Sequence, residues 1–268
     1  MIPKIIHYCW FGGNNLPELA QKCITSWKKI LPDYEIKEWN ESNYDVRKNL
    51  YTAQAYDAKK YAFVSDYARF DILYQYGGVY FDTDVEVIKD ISPILERGGF
   101  LGMESPGAVA TGLGMAGEKD NALLKSFLDS YQNETFLNDD GTYNQTTVVD
   151  RCTSILRMRG LTDTAEIQHI SDFVIYPMEY FCPKDIRTGE IKITENSYSI
   201  HHYDGSWLDA WKKDVRLYAD SVYTHNGDNL FSHLKVILYH MKKSFIHYGC
   251  IGACKYWYGL LKEKRGHK

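Results

Sequence analysis

The sequence has no long apolar run and no paired arrangement of its cysteines. No stretch of 18 or more apolar residues occurs, so we predict no membrane-spanning helix. The N-terminal stretch MIPKIIHYCWFGG is too short an apolar run for a secretory signal. The six cysteines include no CxxC pair and lie at positions 9, 23, 152, 182, 250 and 254. Scattered thiols without an export signal indicate a protein of the reducing cytosol.

Strong charge and low complexity are also missing. The net charge of −4 offers nothing to attract nucleic acid, so we expect no nucleic-acid partner. No internal repeat or low-complexity linker divides the 268 residues, which suffice for one sizeable core. We therefore predict one catalytic domain over residues 1–228 and a separate tail over residues 229–268.

What the chain does contain is a strand–helix–strand opening. Residues 3–10 form a nearly continuous apolar run before a glycine pair, which is typical of a buried parallel strand. Apolar residues at helical spacing over 16–32, closed by a proline, predict a helix, and the alternating segment 34–39 predicts a second strand. Sequential units of this kind build a mostly parallel α/β sheet flanked by helices.

The strongest helix signal covers residues 58–78, and a strand over 79–81 follows it directly. Aromatic residues recur along this helix at a 4-3-4 spacing and predict a core-facing stripe of Phe63, Tyr67, Phe70 and Tyr74. Gly77 is the stop signal. Further strands are predicted at 98–104, 108–116, 165–177 and 197–204, and further helices at 119–133 and 143–159.

The tail differs in charge from the rest of the chain. From residue 233 to 268, eight Lys and Arg stand against one acidic residue, a balance of +7, so the remainder of the chain sums to −11. Apolar residues at helical spacing accompany these charges, namely Phe231, Leu234, Leu238, Met241 and Phe245. Such basic amphipathic helices bind anionic membrane surfaces, and the alternative is a helix docked on the domain with its charges solvated.

The residues that suggest chemistry begin with Asp82 and Asp84, in the segment GGVYFDTDVEV. In an extended backbone, side chains two residues apart project to the same face, so both carboxylates can converge on one point. Converging oxygen ligands suit Mg²⁺ or Mn²⁺, and such an ion keeps open positions for substrate phosphates. A solvated turn is the alternative, but the end of a strand is where open α/β sheets bind ligands.

Two other segments could complete such a site. Ser65, Asp66 and Arg69 lie on one face of the predicted helix, either as an internal ion pair or as groups that grip a polyol or a phosphate. The segment HHYDGSW could add an imidazole to the metal and loop amides to phosphate oxygens. Strand alternation puts His201 and His202 on opposite faces, and we favour His202 because it is nearer to the Gly-Ser-Trp turn.

Three segments together resemble the signature blocks of glycosyltransferase family 32. They follow the order of the family and consist of IPKIIHYCWFGG, SDYARFDILYQYGGVYFDTDVEV and HHYDGSW. The family comprises DxD-containing sugar transferases of capsule and lipopolysaccharide clusters and is related to fungal mannosyltransferases. The first two segments also resemble the catalytic domain of clostridial glucosylating toxins. No matching motif is found over residues 104–195 or in the tail.

The resemblance implies a GT-A type nucleotide-diphosphosugar fold and a retaining, metal-dependent hexosyl transfer. It implies that Asp84 binds the metal, that Asp82 reaches the metal or the ribose, and that His202 completes the metal shell. The implied catalytic residues are Asp66, Arg69, Asp82 and Asp84. Trp10 would stack on the nucleotide base, and the whole implied set of contacts to the nucleotide sugar is His7, Trp10, Gly12, Ser65, Asp66, Arg69, Tyr80, Ser206 and Trp207.

The resemblance also implies substrates and a cellular place. We expect Mn²⁺ or Mg²⁺ as the ion, and UDP-galactose or UDP-glucose as the donor, with GDP-mannose next. Residues that discriminate between donors are expected in the unmatched segment, with Gly112, Gly114, Asn144 and Gln145 as candidates. The expected acceptor is a lipid-linked saccharide in bacterial surface polysaccharide synthesis, with the enzyme in the cytoplasm at the inner face of the plasma membrane. Alternatives are a protein-modifying glycosyltransferase, a nucleotide-sugar hydrolase and a non-catalytic carbohydrate-binding module.

Overall fold

The computed structural model describes residues 1–144, 146–186, 188–205 and 210–266, with side chains described as far as residue 260. The chain forms two units. The first contains residues 1–184 and 192–204, and the second contains residues 185–191 and 205–268. The second unit begins before residue 229, which is the first residue of the predicted tail. A domain boundary at residue 229 remains a prediction.

The strands lie in the first unit. They are β1 (Ile5–Cys9), β2 (Glu35–Trp39), β3 (Gly78–Tyr80), β4 (Val85–Val87), β5 (Gly99–Ser105), β6 (Ala108–Val109), β7 (Met115–Gly117), β8 (Gln168–Ile170), β9 (Phe173–Tyr176) and β10 (Ser199–His201). Within the described residues, one sheet has the order β2-β1-β3-β7-β5-β9-β8 with β6 paired to β5, while β4 and β10 form a separate antiparallel pair. In the large sheet β1, β2, β3, β5 and β9 run in one direction, which confirms the predicted mostly parallel α/β sheet.

Helices cover both faces of this sheet. They are α1 (Glu18–Ile30), α2 (Leu50–Asp57), α3 (Tyr61–Tyr76), α4 (Ser92–Leu95), α5 (Ala122–Asp129), α6 (Val148–Arg157) and α7 (Met178–Phe181). Because side chains alternate along a strand, the two faces of the sheet contribute to two separate apolar clusters. Val79 and Phe81 pack with Trp27 of α1 in one cluster, while Tyr80 between them packs with Phe70 of α3 in the other. Burial on both faces explains the continuous apolar runs of the parallel strands.

Helix α3 is buried more widely than its aromatic spacing predicts. Of the predicted stripe only Phe70 is fully buried, and the other three aromatic residues are half-buried. Val64, Ala68 and Leu73 are fully buried as well, because α3 packs against α2, α5 and the sheet at the same time. The helix ends at Tyr76, and Gly77 follows with a φ of 66°, a conformation that glycine adopts without a steric penalty.

Two of the predicted strands are each two shorter elements. The segment 108–116 contains β6 and β7, which both pair with β5 and are separated by a loop. The segment 165–177 is the antiparallel hairpin of β8 and β9, which turns at Ser171 with a φ of 55°. Both predictions of a single strand are therefore wrong. The sequence does carry turn residues at these points, namely Gly112 and Gly114 before β7 and the exposed pair Ser171 and Asp172 between β8 and β9.

The second unit is helical where it is described. It contains α8 (Ala210–Asn226) and α9 (Leu230–Gly266), and α9 is interrupted at Gly249, whose φ of 67° and ψ of 177° are not helical. The chain reverses direction at Gly249, as contacts between the two parts of α9 indicate. Trp257 Nε1 donates to Ser244 Oγ at 2.9 Å, and Tyr256 OH lies 3.1 Å from His240 Nε2. Among the described residues, no helix is both long enough and apolar enough to span a bilayer.

Candidate active site

The acidic pair lies where the chain leaves the main sheet after β3. Asp82 N–H donates to Gly112 O at 3.2 Å, and Val85 N–H donates to Asp82 O at 3.1 Å, so the two carboxylates flank a tight turn. The chain then enters β4, which pairs antiparallel with β10 so that Val85 is opposite His201. This pairing carries a histidine from the distant segment HHYDGSW to the edge of the sheet where the aspartates lie.

Asp82, Asp84 and His201 form a cluster suited to a metal ion. Each offers one donor atom, and these atoms all lie within 4.8 Å of one another. His201 Nε2 is 3.1 Å from Asp84 Oδ1, and the other oxygen of Asp84 accepts a hydrogen bond from Asp204 N–H at 2.8 Å. The side chains of Asp84 and His201 are mostly buried, with relative exposures of 17% and 14%.

The histidine in this cluster is His201, which corrects the preference for His202. His202 Nε2 is 2.8 Å from Glu86 Oε2 instead, on the other side of the β4–β10 pair. Strand alternation does place the two imidazoles on opposite faces, as expected. Which of them faces Asp84 depends on the register between β10 and β4, and proximity in sequence to the Gly-Ser-Trp turn does not determine that register.

The electrostatics of the cluster fit a divalent ion. Burial by itself would raise the pKa of Asp84, but the charge and hydrogen bond of His201 and the Asp204 amide outweigh it and hold that pKa well below its usual range. Burial by itself would lower the pKa of His201, but the negative charges of Asp84 and Asp82 favour the protonated imidazole and raise that pKa. The Nδ1 atom of His201 is buried without a hydrogen-bond partner among the described residues. Carboxylates, and an imidazole that releases its proton when the ion binds, are ligands that Mn²⁺ and Mg²⁺ sites accommodate.

Arg69 holds the other carboxylate in place. Its Nη2 atom is 2.8 Å from Asp66 Oδ1 and 3.1 Å from Asp82 Oδ1, and its side chain is only 3% exposed. Nη1 donates to Thr111 Oγ1 at 3.2 Å, and Nε donates to Ser65 O at the same distance. All three nitrogens of the guanidinium are therefore engaged within the protein. Arg69 orients Asp82, and each aspartate of the pair already has its own basic partner.

Asp66 and Tyr80 complete this arrangement. Burial raises the pKa of Asp66 to about 6, even though Arg69 lowers it. Tyr80 OH donates to Asp82 Oδ1 at 3.1 Å, and the Arg69 guanidinium carbon lies 5.0 Å from the centre of the Tyr80 ring. The structure thus brings together the four predicted catalytic residues, and it places Tyr80 beneath them as a fully buried support.

The loop before β7 packs against Asp82 and Arg69 through Gly112. A Cβ atom at Gly112 would lie 2.0 Å from Asp82 Oδ2 and 3.3 Å from Arg69 Nη1, so only glycine lets this loop approach the carboxylate. Gly114 has a φ of 139° and faces the Phe81 ring, a position that packing explains. Asn144 donates to Glu134 Oε2 at 2.9 Å, and Gln145 lies outside the described residues.

The predicted nucleotide contacts from the N-terminal segment have differing surroundings. His7 is fully buried; Trp39 Nε1 donates to its Nδ1 at 3.0 Å, and its Nε2 then donates to Gly77 O at 2.9 Å. Its side chain belongs to the core, so a contact to the nucleotide would come from the backbone near His7, and this contact stays a prediction. Trp10 is half-buried and donates to Asn14 O at 2.7 Å, while Gly12 N–H donates to Glu41 Oε1 at 2.6 Å.

The remaining predicted residues are Ser65, Ser206 and Trp207. Ser65 lies one turn before Arg69, and its hydroxyl donates to Tyr61 O at 3.1 Å. Ser206 and Trp207 lie outside the described residues. Two residues near the cluster were not predicted, Thr111 and Glu104. Glu104 ends a predicted strand, which is the one sequence signal that could have identified it.

Comparison with known proteins finds similarity to glycosyltransferases in this part of the chain. Residues 17–101 match the family described as "Glycosyltransferase sugar-binding region containing DXD motif". Inositol phosphoceramide mannosyltransferase 1 of Schizosaccharomyces pombe is 32% identical over 111 residues, which are 37% of this chain and 33% of that protein. Mannosyl phosphorylinositol ceramide synthase CSH1 of Saccharomyces cerevisiae is 30% identical over 118 residues, which are 41% of this chain and 30% of that protein.

The chain thus spans about a third of the length of the two fungal proteins. Among solved structures, the PaToxG glycosyltransferase aligns over 59% of this chain and 68% of its own, with 23% identity and a TM-score of 0.44. The family match covers Asp66, Arg69, Asp82 and Asp84 but ends before His201. These matches confirm the resemblance to DXD-containing glycosyltransferases that the sequence motifs predict, and they support the prediction of a transferase.

Proposed function

We propose that this protein is a metal-dependent glycosyltransferase that moves a hexose from a nucleotide diphosphosugar to a saccharide acceptor. The observation that carries the proposal is the cluster of Asp82, Asp84 and His201 at the end of β3, within 4.8 Å of one another. A divalent ion held there would act as a Lewis acid that stabilises the negative charge on a departing diphosphate. This chemistry distinguishes a transferase of nucleotide sugars from a module that only binds carbohydrate.

Neighbouring residues already orient the carboxylates of this site before a substrate binds. Arg69 and Tyr80 direct one oxygen of Asp82, and the Asp204 amide directs one oxygen of Asp84, so neither carboxylate has to reorient when a ligand binds. Preorganised groups of this kind account for much of the charge stabilisation in enzymes. Asp66, with a pKa raised to about 6, faces Arg69 and is positioned to accept a hydrogen bond from a donor hydroxyl.

The proposed donor is UDP-galactose or UDP-glucose, and GDP-mannose is the second candidate. The names of the fungal relatives favour a mannosyl donor, whereas the resemblance to capsule transferases favours a UDP-sugar. The same names favour an acceptor attached to a lipid. We propose a lipid-linked saccharide of a bacterial surface polysaccharide as the acceptor and retention of the anomeric configuration. Attack from the leaving-group side gives retention when the departing phosphate oxygen takes the proton from the acceptor hydroxyl.

A lipid-linked acceptor requires contact with a membrane, and the second unit offers a surface for it. Along the first half of α9 the side chains of Leu230, Phe231, Leu234, Leu238 and Ile246 are between 48% and 76% exposed. Lys242 is also exposed on this helix. An exposed apolar face with basic neighbours fits an anionic lipid surface by both charge and hydrophobicity. We therefore propose that the protein works in the cytoplasm, on the inner face of the plasma membrane.

Thermal stability with metal and nucleotide tests the enzymatic part of the proposal. A ligand that binds only the native state raises the melting temperature. We expect Mn²⁺ and UDP together to raise it more than the sum of either alone, and GDP to do so if the donor is mannosyl. Asp84→Asn should lose this combined effect; its melting temperature without ligand should also fall, because the ionised carboxylate no longer pairs with His201, so the ligand effect is measured against the variant's own baseline. Absence of any nucleotide effect in the wild type would reject the transferase and favour a carbohydrate-binding module.

Product analysis separates the remaining alternatives. Release of nucleotide that does not increase with any saccharide acceptor would indicate a nucleotide-sugar hydrolase, and label transferred to protein would indicate a protein-modifying enzyme. The membrane part is tested by co-sedimentation with vesicles of phosphatidylglycerol and phosphatidylcholine. Lys242→Glu should weaken binding by up to about 30-fold, since each unit of charge near the surface contributes about 1 kcal/mol and the reversal changes two units. Lys28→Glu, an exposed charge change on α1, is the matched control.

A further inference from the structure

A carboxylate that the site described so far does not use lies at the end of β5. Glu104 lies between Met103 and Ser105, where the pairing of β5 with β6 shifts by a residue. Such a bulge redirects the side chain that it carries and is common beside active sites. Glu104 is half-buried, and within the described part of the chain its carboxylate has no hydrogen bond and no ion pair. Its oxygens are therefore available to accept a hydrogen bond from a ligand.

Glu104 lies between the metal-binding cluster and a second feature. Burial raises its pKa, the positive charge of His201 lowers it, and the negative charge of Asp150 raises it, so both residues are near enough to act on it. His201 belongs to the cluster with Asp82 and Asp84. Asp150, in the first turn of α6, lines a cavity of about 540 Å³ together with Gly107 of the β5–β6 hairpin. Glu104 lies three residues before Gly107, which lines this cavity, and it is within electrostatic range of His201 in the cluster.

The cavity has the composition of a saccharide subsite. Asp150, Ser154 and Arg157 offer polar groups, and Val149 and Met158 offer apolar surface. A sugar ring presents hydroxyls at its edge and C–H groups on its face, so a mixed lining complements it. Helix α6, which forms one wall of the cavity, is held against β6 by a hydrogen bond from Val109 N–H to Thr153 Oγ1 at 2.9 Å. A rigid wall holds an acceptor better than a loop does.

We propose that this cavity binds the acceptor saccharide and that Glu104 accepts a hydrogen bond from the hydroxyl that attacks the donor sugar. The inference rests on the proposed transferase function. In that reaction the acceptor O–H bond breaks and a new C–O bond forms at the anomeric carbon. The C–O bond to the diphosphate breaks, its electron pair leaves with the nucleoside diphosphate, and the leaving phosphate takes the proton. Glu104 contributes by orienting the attacking oxygen, for which positioning is worth several orders of magnitude in rate.

Two variants and one control test the proposal. Glu104→Gln keeps the shape of the side chain and removes its charge, and Ser154→Trp fills the cavity from an exposed position of α6. Thr25→Trp, on the exposed side of α1, is the control for an added indole. The acceptor probes are the n-octyl glycosides of galactose, glucose and mannose. Saturation-transfer NMR measures their binding without turnover, the melting temperature with Mn²⁺ and UDP or GDP measures donor binding, and nucleotide release measures the reaction.

The proposal predicts that Ser154→Trp abolishes the saturation-transfer signal of the octyl glycosides, whereas Thr25→Trp keeps it. Glu104→Gln should lower acceptor-dependent nucleotide release by about 100-fold, as removal of a charged hydrogen-bond partner at a reacting group does, and leave the nucleotide-induced melting shift unchanged. Equal glycoside signals from wild type and Ser154→Trp would overturn the cavity assignment. Unchanged release by Glu104→Gln, or loss of the melting shift in it, would overturn its role. If the wild type shows no nucleotide-induced shift, the transferase function fails, and this inference fails with it.

Discussion

The substitution Gly112→Ala tests whether the geometry of Asp82 governs metal binding without altering any charged group. The added Cβ would lie 2.0 Å from Asp82 Oδ2, and the backbone at Gly112 does not require a positive φ, so the effect comes from this contact alone. To reach an ordinary separation, the carboxylate would have to retreat by roughly 1.5 Å. Binding sites tolerate displacements of only about 0.5 Å. Arg69 Nη1 would also be crowded, because it lies 3.3 Å from the new carbon.

We expect two measurable results from this change. Overpacking of this kind costs about 1–3 kcal/mol, which lowers the melting temperature of a unit of this size by roughly 2–12 °C. Displacing a ligand carboxylate from its orienting partner should weaken Mn²⁺ binding about 10–100-fold, and calorimetric titration measures it. The addition of nucleotide should no longer raise the melting temperature synergistically with Mn²⁺.

Gly102→Ala is the matched control. Its Cβ would also meet neighbours closely, at 3.3–3.4 Å from Phe181 and Leu113, but far from the acidic pair. We expect a comparable or smaller loss of stability and unchanged Mn²⁺ affinity. If Gly112→Ala binds Mn²⁺ as tightly as the wild type, then Asp82 does not contribute to the metal site. If both variants lose affinity equally, the effect reports general destabilisation and the reasoning is refuted.

Three further predictions concern the histidines and Trp10. His201→Ala should abolish Mn²⁺ binding in calorimetry, whereas His202→Ala, which removes only the contact to Glu86, should leave it within about twofold; the reverse result would restore His202 as the ligand. Burial lowers the pKa of His7 to about 4 in the folded protein, compared with 6.5 in the unfolded chain. The contribution of His7 to stability is therefore present above pH 6.5 and is lost as the pH falls towards 4, so the free energy of unfolding should drop by about 2 kcal/mol from pH 7 to 5. In urea titrations, His7→Gln should flatten this pH dependence. Trp10→Ala should raise KM for the donor with less change in kcat, because stacking on a base stabilises ground and transition states alike; a fall in kcat alone would contradict it.

Regular elements with a clear period could be predicted from the sequence. The helix of residues 58–78 and the strand after it have one strong pattern each, and the structure contains both. The single strands predicted at 108–116 and 165–177 are wrong, since the glycines of the loop after β6 and the Ser-Asp pair at residue 171 are short turn signals inside otherwise apolar segments. Periodicity describes one element at a time, so it misses turns inside apolar segments.

The charge balance of the site shows a similar division. The sequence suggests that a dication must neutralise Asp82 and Asp84. The structure instead gives each carboxylate a partner within the protein, Arg69 for the first and His201 for the second. The site is therefore formed and electrically compensated before an ion binds, which explains how two carboxylates persist beside a buried strand.

Residue type and spacing along the sequence specify the chemical groups of the candidate site: an acidic pair two residues apart after a buried strand, an Asp–Arg pair on the preceding helix, and a histidine pair far along the chain. These are local properties, set by residue type and spacing. The tertiary structure decided which of them meet. The register of β10 against β4 selects His201 over His202, and the loop at Gly112 and the bulge at Glu104 bring in residues that no local pattern connects with the aspartates. Long-range pairing depends on how whole elements pack, and spacing along the chain does not specify it.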